Sequence, residues 1–586
     1  MGHRLDRVMY EISIFYIALP IFIFLAGWLR LIVALPVCAV FLISVFLMLR
    51  NRPAPVEWHL SRSQTGVIIF SLIILAVWVF FSGMGGFSFQ NSDYQYRNAI
   101  FHDLIEKAWP VVYDYSAANS SIMTGGSDLA VLTYYIAFWL PGALVGKLFG
   151  WFAANAFLYF WAFLGLVLIV YFLFRTLRSA SIRSVLILVF FSGLDILGYL
   201  LLSKGKVPGA TAHIEWWSGL QYSSNTTLLF WVFNQTITIW LAILLIMNLK
   251  NSRSLFFLYA MLLLHGPFPF LGMLPIVLWK AYQGYPLVLK LNRSKGQNLE
   301  QAPEQNPEQA DEPDQVQEED PNQVQEEDPG PDPVQDQNKG LQSAVLFFKW
   351  FWGGIRRAFT FENVCGGITV LAVIYLYLSN NVSGGTSGIN KLSANYYIFV
   401  VFEFGLYMLL LFFVHNKNPL YWICLASLFI VPFFRIGLSQ DFCMRVSIPA
   451  LFVMQILIQQ MLLGRKLEEP LPVTGVSKKD MLLLKIVVAV LLTIGTVVPL
   501  QEMSRSVVFT LPAYRFSKSA MVFVGETLKS SGNSSLSDYG IMVLAQSEYP
   551  LTWSDSIKTL EKNKENAGNF IGPVQDNVFY EYLARR

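Results

Sequence analysis

Runs of about 20 apolar residues recur along this 586-residue chain, parted by short polar links, and they restrict its fold more than any motif does. Hydrocarbon offers a backbone N–H or C=O no partner, so each run must close its own hydrogen bonds as an α-helix. A closed barrel would need alternating strands of about ten residues, and the sequence has none. Apolar residues are 54% and charged residues 14% of the chain, where a soluble domain carries about a quarter charged. The expected fold class is an all-α polytopic membrane protein, multi-pass in a cell membrane, with lipid as its main solvent.

The net charge of +3 arises from small clusters of Lys and Arg between the runs. That pattern offers no basic patch, so no nucleic-acid partner is expected. Cys38, Cys365, Cys424 and Cys443 lie in or beside apolar runs without paired or metal-ligand spacing, and read as small core hydrophobes. No Walker loop, dinucleotide fingerprint or nucleophile elbow occurs.

Short loops rich in Lys and Arg stay on the cytoplasmic side, which orients the spans. Arg4 and Arg7 put the N-terminus in the cytoplasm, and spans near 10–28, 31–49 and 66–84 make an N-terminal unit, residues 1–84. Residues 85–150 form a large external loop. Its end, LTYYIAFWLPGALVGKLFG over 132–150, is apolar enough to span, yet counting it would put Arg175, Arg178 and Arg183 outside. It is therefore read as an interfacial or re-entrant helix. A first transmembrane block, 151–295, has spans near 152–174, 184–202 and 224–248, then a segment, 254–281, that HGPFPFLGMLP should break near Pro267. Residues 296–340 turn to Gln, Glu, Asp and Pro with QVQEEDP repeated, and read as a disordered acidic cytoplasmic linker. The basic aromatic stretch 349–357 reads as an interfacial helix within a second block, 341–500. That block has spans near 363–379, 395–414, 419–436, 446–464 and 481–500. The total is about thirteen spans, which leaves 501–586 as a small extracytoplasmic α+β region.

Ionisable groups at membrane depth are costly and usually functional. They gather in three external segments: 91–111, 192–198 with 213–236, and 434–449. A carboxylate a few residues past an outward-going helix, in a long loop ending in an aromatic-Pro helix, resembles the GT-C superfamily of membrane glycosyltransferases. The stretch DFCMRVSIP, followed by an external tail, is similar to the last block of its bacterial multi-spanning members. The likeness covers most of the membrane region in layout, with loose motifs, and a hairpin precedes the span that feeds the loop. It implies a GT-C-like fold, a sugar donor on a polyprenyl phosphate, and an envelope glycan, lipid or protein as acceptor. It also implies a loop Asp or Glu as catalytic base or metal ligand, a place that Asp93 occupies. Tyr94, not a second acid, follows Asp93, so a divalent cation stays an open requirement and no other cofactor is implied.

A sugar hydroxyl is a poor nucleophile until a carboxylate accepts its proton, and a departing lipid phosphate needs cations to hold its charge. Asp93 suits the first role; Arg445 and His213, then Lys204, Lys206 and Arg435, suit the second. Arg97, Asp103, Tyr134, Tyr135, Asp195, Glu215, Trp216, Trp217 and Asp441 are candidates to line the substrate path. Plainer readings stand beside these. Asp441 and Arg445, four apart, also fit a self-neutralising helical pair; the Trp and Tyr residues also fit interface anchors; Asp103 also fits a surface or helix-capping group. A transporter or flippase of lipid-linked saccharides would use similar cations and broken helices. An envelope polysaccharide polymerase or ligase would place its main loop later, near Asp441 and Arg445. From the linker's composition, deleting residues 300–336 should leave sugar transfer in reconstituted vesicles largely intact, and an inactive deletion would overturn that expectation.

Overall fold

The computed structural model describes residues 2–51, 64–91, 93–115, 129–209, 212–214, 220–283, 358–381, 387–390, 395–437, 441–463, 477–515, 569–575 and 577–585. The acidic linker, the 349–357 stretch and Glu215, Trp216 and Trp217 lie outside the described residues.

The apolar runs are helices. In chain order they begin with α1 (Gly2–Trp28), α2 (Leu31–Arg50) and α3 (Thr65–Phe81). The loop that follows carries α4 (Tyr94–Glu106), β1 (Val112–Asp114) and β2 (Leu129–Leu132). Next come α5 (Leu140–Leu177), α6 (Ile182–Phe190), α7 (Asp195–Leu202), α8 (Asn225–Asn248), α9 (Leu255–Met261) and α10 (Pro267–Gln283). Among the described residues seven helical stretches are long and apolar enough to cross a membrane: 4–28, 31–50, 137–177, 182–202, 225–248, 395–415 and 479–511. Five shorter apolar helices lie at 65–81, 255–264, 362–378, 419–433 and 448–463. Hydropathy counts more crossings than helix length does, because several apolar runs outlast the helices they form. Gly83, for example, adopts φ +88° and stops α3 at Phe81 while the run goes on through Met84.

The apolar stretch 132–150 folds as a helix separate from the one that follows it. Gly142 and Gly146 lie against Phe101 and Ile105 of α4, and Lys147 Nζ donates to the carbonyls of Ile105 at 2.9 Å and Lys107 at 2.6 Å. At Gly150 the backbone swings to φ +83° and ψ 178°, and the chain doubles back so that Ala154 packs on Gly146. The bend separates a helix over 137–149 from one that starts at Trp151. At the far end of α5, Arg175 sits 3.5 Å from Asp6 of α1 and donates to Asn248 of α8. The segment 254–281 is broken as expected, with α9 passing through a short 3₁₀ turn and α10 restarting at Pro267. Further breaks occur at 191–194, between α6 and α7, and at Val232 within α8.

One expected boundary moves. The helix beginning at Lys478 gives way at Thr496 to a second, Val497–Arg515, so residue 501 falls inside a helix. That helix is anchored in the bundle: Ser506 donates to the carbonyl of Phe81, and Thr510 accepts from the amide of Phe89. The described end of the chain then completes a sheet with the first loop. β3 (Ile571–Pro573) joins β2, itself antiparallel to β1, with Val131 opposite both Val112 and Gly572. A side chain at Gly572 would strike the carbonyl of Asn380 at 2.1 Å, so only glycine fits.

Gly150 yields a test of the bend. Nothing lies within 4 Å of where its Cβ would be, so Gly150→Ala costs backbone strain alone, about 1–3 kcal/mol. Thermal unfolding in detergent should show that loss. Gly66→Ala, at a helical glycine with equally open space, should be neutral or slightly stabilising.

Candidate functional site

Two i,i+4 ion pairs and two tyrosines converge where the first loop meets the 441–446 helix. Asp93 immediately precedes α4 and accepts from Arg97 Nη2 at 2.9 Å. Asp93 is partly exposed, whereas Arg97 is buried between the rings of Tyr94 and Phe233, at 5.4 and 5.2 Å. Asp441 opens the second helix and accepts from Arg445 Nη2 at 2.8 Å. Arg445 also donates to the Tyr135 hydroxyl, which accepts in turn from Tyr134. Each guanidinium keeps a buried N–H without a partner among the described residues, Nη1 of Arg97 and Nε of Arg445.

The two pairs act on each other. Burial by itself would weaken Arg445's hold on its proton, but Asp441, the oxygens of Tyr135 and Tyr134, and Asp93 more than offset it and raise Arg445 above the usual range. Burial raises the Tyr134 and Tyr135 hydroxyls, while the nearby Arg445 and Arg97 pull the other way. Both tyrosines therefore stay protonated donors at neutral pH.

The Asp441–Arg445 side of this group opens on an apolar cavity of about 840 Å³, whereas Asp93 and Arg97 stand behind its lining. Tyr134, Tyr135, Asp441 and Arg445 supply its polar wall, the broken α9–α10 segment supplies Pro267, Phe268 and Leu271, and the Ile368–Leu378 helix supplies Leu371 and Tyr375. Two asparagines and a tyrosine hold the loop in place. Tyr377 Oη meets the carbonyls of Leu132 and Tyr134 at 3.1 and 3.2 Å. Asn381 donates to Thr133 and Asn569, and Asn380 to Pro573. The donor set does not suit a divalent cation, since Asp93 and Asp441 are each bonded to an arginine. Among the described residues no three His, Cys, Asp or Glu side chains gather as ligands.

Other sequence candidates lie elsewhere. His213 is a correction: its Nδ1 sits 2.6 Å from Glu502 Oε1, in a second polar cluster with Trp231 and Arg505, and not on the Arg445 cavity. The cause is the helix continuing past residue 500, which carries Glu502 and Arg505 into the bundle. Asp195 belongs with that cluster. It is buried, accepts from Ser192 Oγ at 3.0 Å and is hydrogen-bonded to Glu403. Asp103 is an internal brace: it is buried and accepts from Tyr113 Oη at 2.8 Å, tying α4 to β1. Lys204 and Lys206 are exposed on the turn after α7 and do not line the cavity. Arg435 is exposed in a two-residue strand paired with Gly388, next to cavity residues Ile436 and Gly437. Glu403, Glu502 and Arg505 are the ionisable residues that sequence reading missed. Glu403 carried a signal, an acid within the apolar run NYYIFVVFEFGLYMLLL.

Searches of family models, curated proteins and solved structures find no match to this chain. What the fold defines is a helical protein with helices suited to membrane insertion.

Glu502 serves His213, Trp231 and Arg505 together, so Glu502→Ala should destabilise the fold by about 3–5 kcal/mol, because it strands a buried cation. Thermal unfolding in detergent is the measurement; an unchanged transition would show that the cluster braces nothing.

Proposed function

We propose that this protein is a GT-C-type membrane glycosyltransferase, moving a sugar from a polyprenyl-phosphate donor to an envelope acceptor at the outer face. The observation that carries the reading is one arrangement: a buried Arg445 that lines an apolar cavity of about 840 Å³ with Tyr134 and Tyr135, and that feels the charge of a partly exposed carboxylate, Asp93. A lipid-linked donor has the matching parts, an apolar chain and a phosphate joined to the sugar.

In this reading the isoprenoid lies along Phe268, Leu271, Leu371 and Tyr375, and its phosphate meets Arg445 and the Tyr135 hydroxyl. The acceptor oxygen bonds to the anomeric carbon as the bond from that carbon to the phosphate oxygen breaks on the opposite face, inverting the centre. Asp93 takes the acceptor's proton. The bonding pair leaves on the phosphate oxygen, where Arg445 and Tyr135 hold the added charge. The salt bridge from Arg97 holds Asp93 oriented until the acceptor arrives. No step is assigned to a metal ion.

The break between α9 and α10 beside this cavity also favours a second reading, a flippase of lipid-linked saccharides. Reconstituted vesicles separate the two. Asp93→Asn should lower kcat for sugar transfer by about 10²–10⁴ with little change in KM, and Arg445→Gln should lower it by about 10²–10³. Undiminished transfer by Asp93→Asn would overturn the assignment of the base. Movement of a lipid-linked sugar across the bilayer with no covalent product would favour the flippase. Tolerance at Asp93 with sensitivity at Asp441 would favour a polymerase or ligase.

A further inference from the structure

The β2–β3 ladder has a second cavity at its other end. The Arg445 cavity lies where the ladder runs out at Thr133 and Phe570; the second, of about 1020 Å³, lies at Leu129, Val131 and Val574. Its polar wall is basic, made by Lys107, Lys147 and Arg585, with Glu581 as the wall carboxylate. Neutral groups hold much of this charge. Lys147 donates to two backbone carbonyls and lies 5.1 Å over the Trp109 ring. Arg30, beside the wall, donates to the carbonyls of Glu581 at 2.6 Å and Ala584 at 3.4 Å. The nearby acids are weakly set against them: Asp103 is 4.0 Å from Lys107 and is shared with Tyr113, and Glu106 acts on Lys147 at longer range.

The surroundings of this basic hollow are apolar and open. Leu31, Ile32 and Leu35, starting one residue after Arg30, are exposed on α2. Leu148 and Phe149, directly after Lys147, are exposed on the 137–149 helix. Cations one residue before outward-facing apolar groups, Arg30 at the start of α2 and Lys147 on the 137–149 helix, fit an anionic headgroup with attached chains better than they fit a free anion.

We infer that this second cavity binds the phosphate headgroup of an anionic membrane lipid, with Lys107, Lys147 and Arg585 on the phosphate and the acyl chains over Leu31, Ile32, Leu35, Leu148 and Phe149. The site is separate from the Arg445 cavity and does not depend on sugar transfer. Its role is to seat the first loop at the edge of the bilayer, since Lys107 and Lys147 flank the contact between α4 and the 137–149 helix.

The full-length protein, released from phosphatidylcholine nanodiscs doped with phosphatidic acid, should retain one phosphatidic acid in native mass spectrometry. K107A/K147A should bind it at least fivefold more weakly, K107R/K147R should bind it nearly as well, and equimolar inorganic phosphate should not displace it. Equal retention by K107A/K147A would overturn the site. Displacement by inorganic phosphate would overturn the lipid assignment and leave a free-anion site. Should K107A/K147A fail to fold, the same comparison on R585Q decides, with unchanged retention counting against the proposal.

Discussion

Backbone groups buried outside helices must be satisfied by other protein groups, because an unpaired one costs as much as a lost hydrogen bond. In this chain that demand falls on the carbonyls at the end of β2 and on the last described residues. Tyr377, Asn380 and Asn381 meet it from the end of a single helix, serving Leu132, Thr133, Tyr134, Asn569 and Pro573 between them. These few bonds join the first loop, the second helical block and the chain end. They also fix where Tyr134 and Tyr135 stand, and so where Arg445 finds its hydroxyl partner.

The same constraint explains the breaks. Gly150, Val232 and His265–Gly266 interrupt apolar stretches that would otherwise be continuous. Around them the freed groups find partners within the protein, as where Asn91 donates to the carbonyl of Phe230 just before the Val232 break. The cost of interruption is thus local. What it yields is a surface of irregular backbone at one end of the bundle, where polar side chains from distant parts of the sequence share a wall with an apolar cavity.

Two electrostatic solutions coexist there. Around Glu502 the polar groups satisfy one another: His213, Trp231 and Arg505 all turn to a single carboxylate. Around Arg445 satisfaction is incomplete, with one N–H of Arg445 and one of Arg97 buried and unpartnered among the described residues. Unmet donors beside a cavity are expected where a ligand supplies the missing acceptor, since a buried donor left unpaired costs about 1–3 kcal/mol.

The apolar runs by themselves determined that the chain is helical and suited to a membrane, because no other structure satisfies a backbone in hydrocarbon. Charge parity, also a property of the sequence, set 132–150 apart from the helix after it, and the chain does bend at Gly150. The spacing of Asp441 to Arg445 announced a helical pair, since residues four apart share a helix face; the matching pair of Asp93 and Arg97 went unread. Only the tertiary structure decided that these pairs meet, that His213 turns away to Glu502, and that the chain end supplies the third strand of the first loop's sheet. Local spacing carries the geometry of one helix, whereas contacts between residues hundreds of positions apart depend on how all the helices pack.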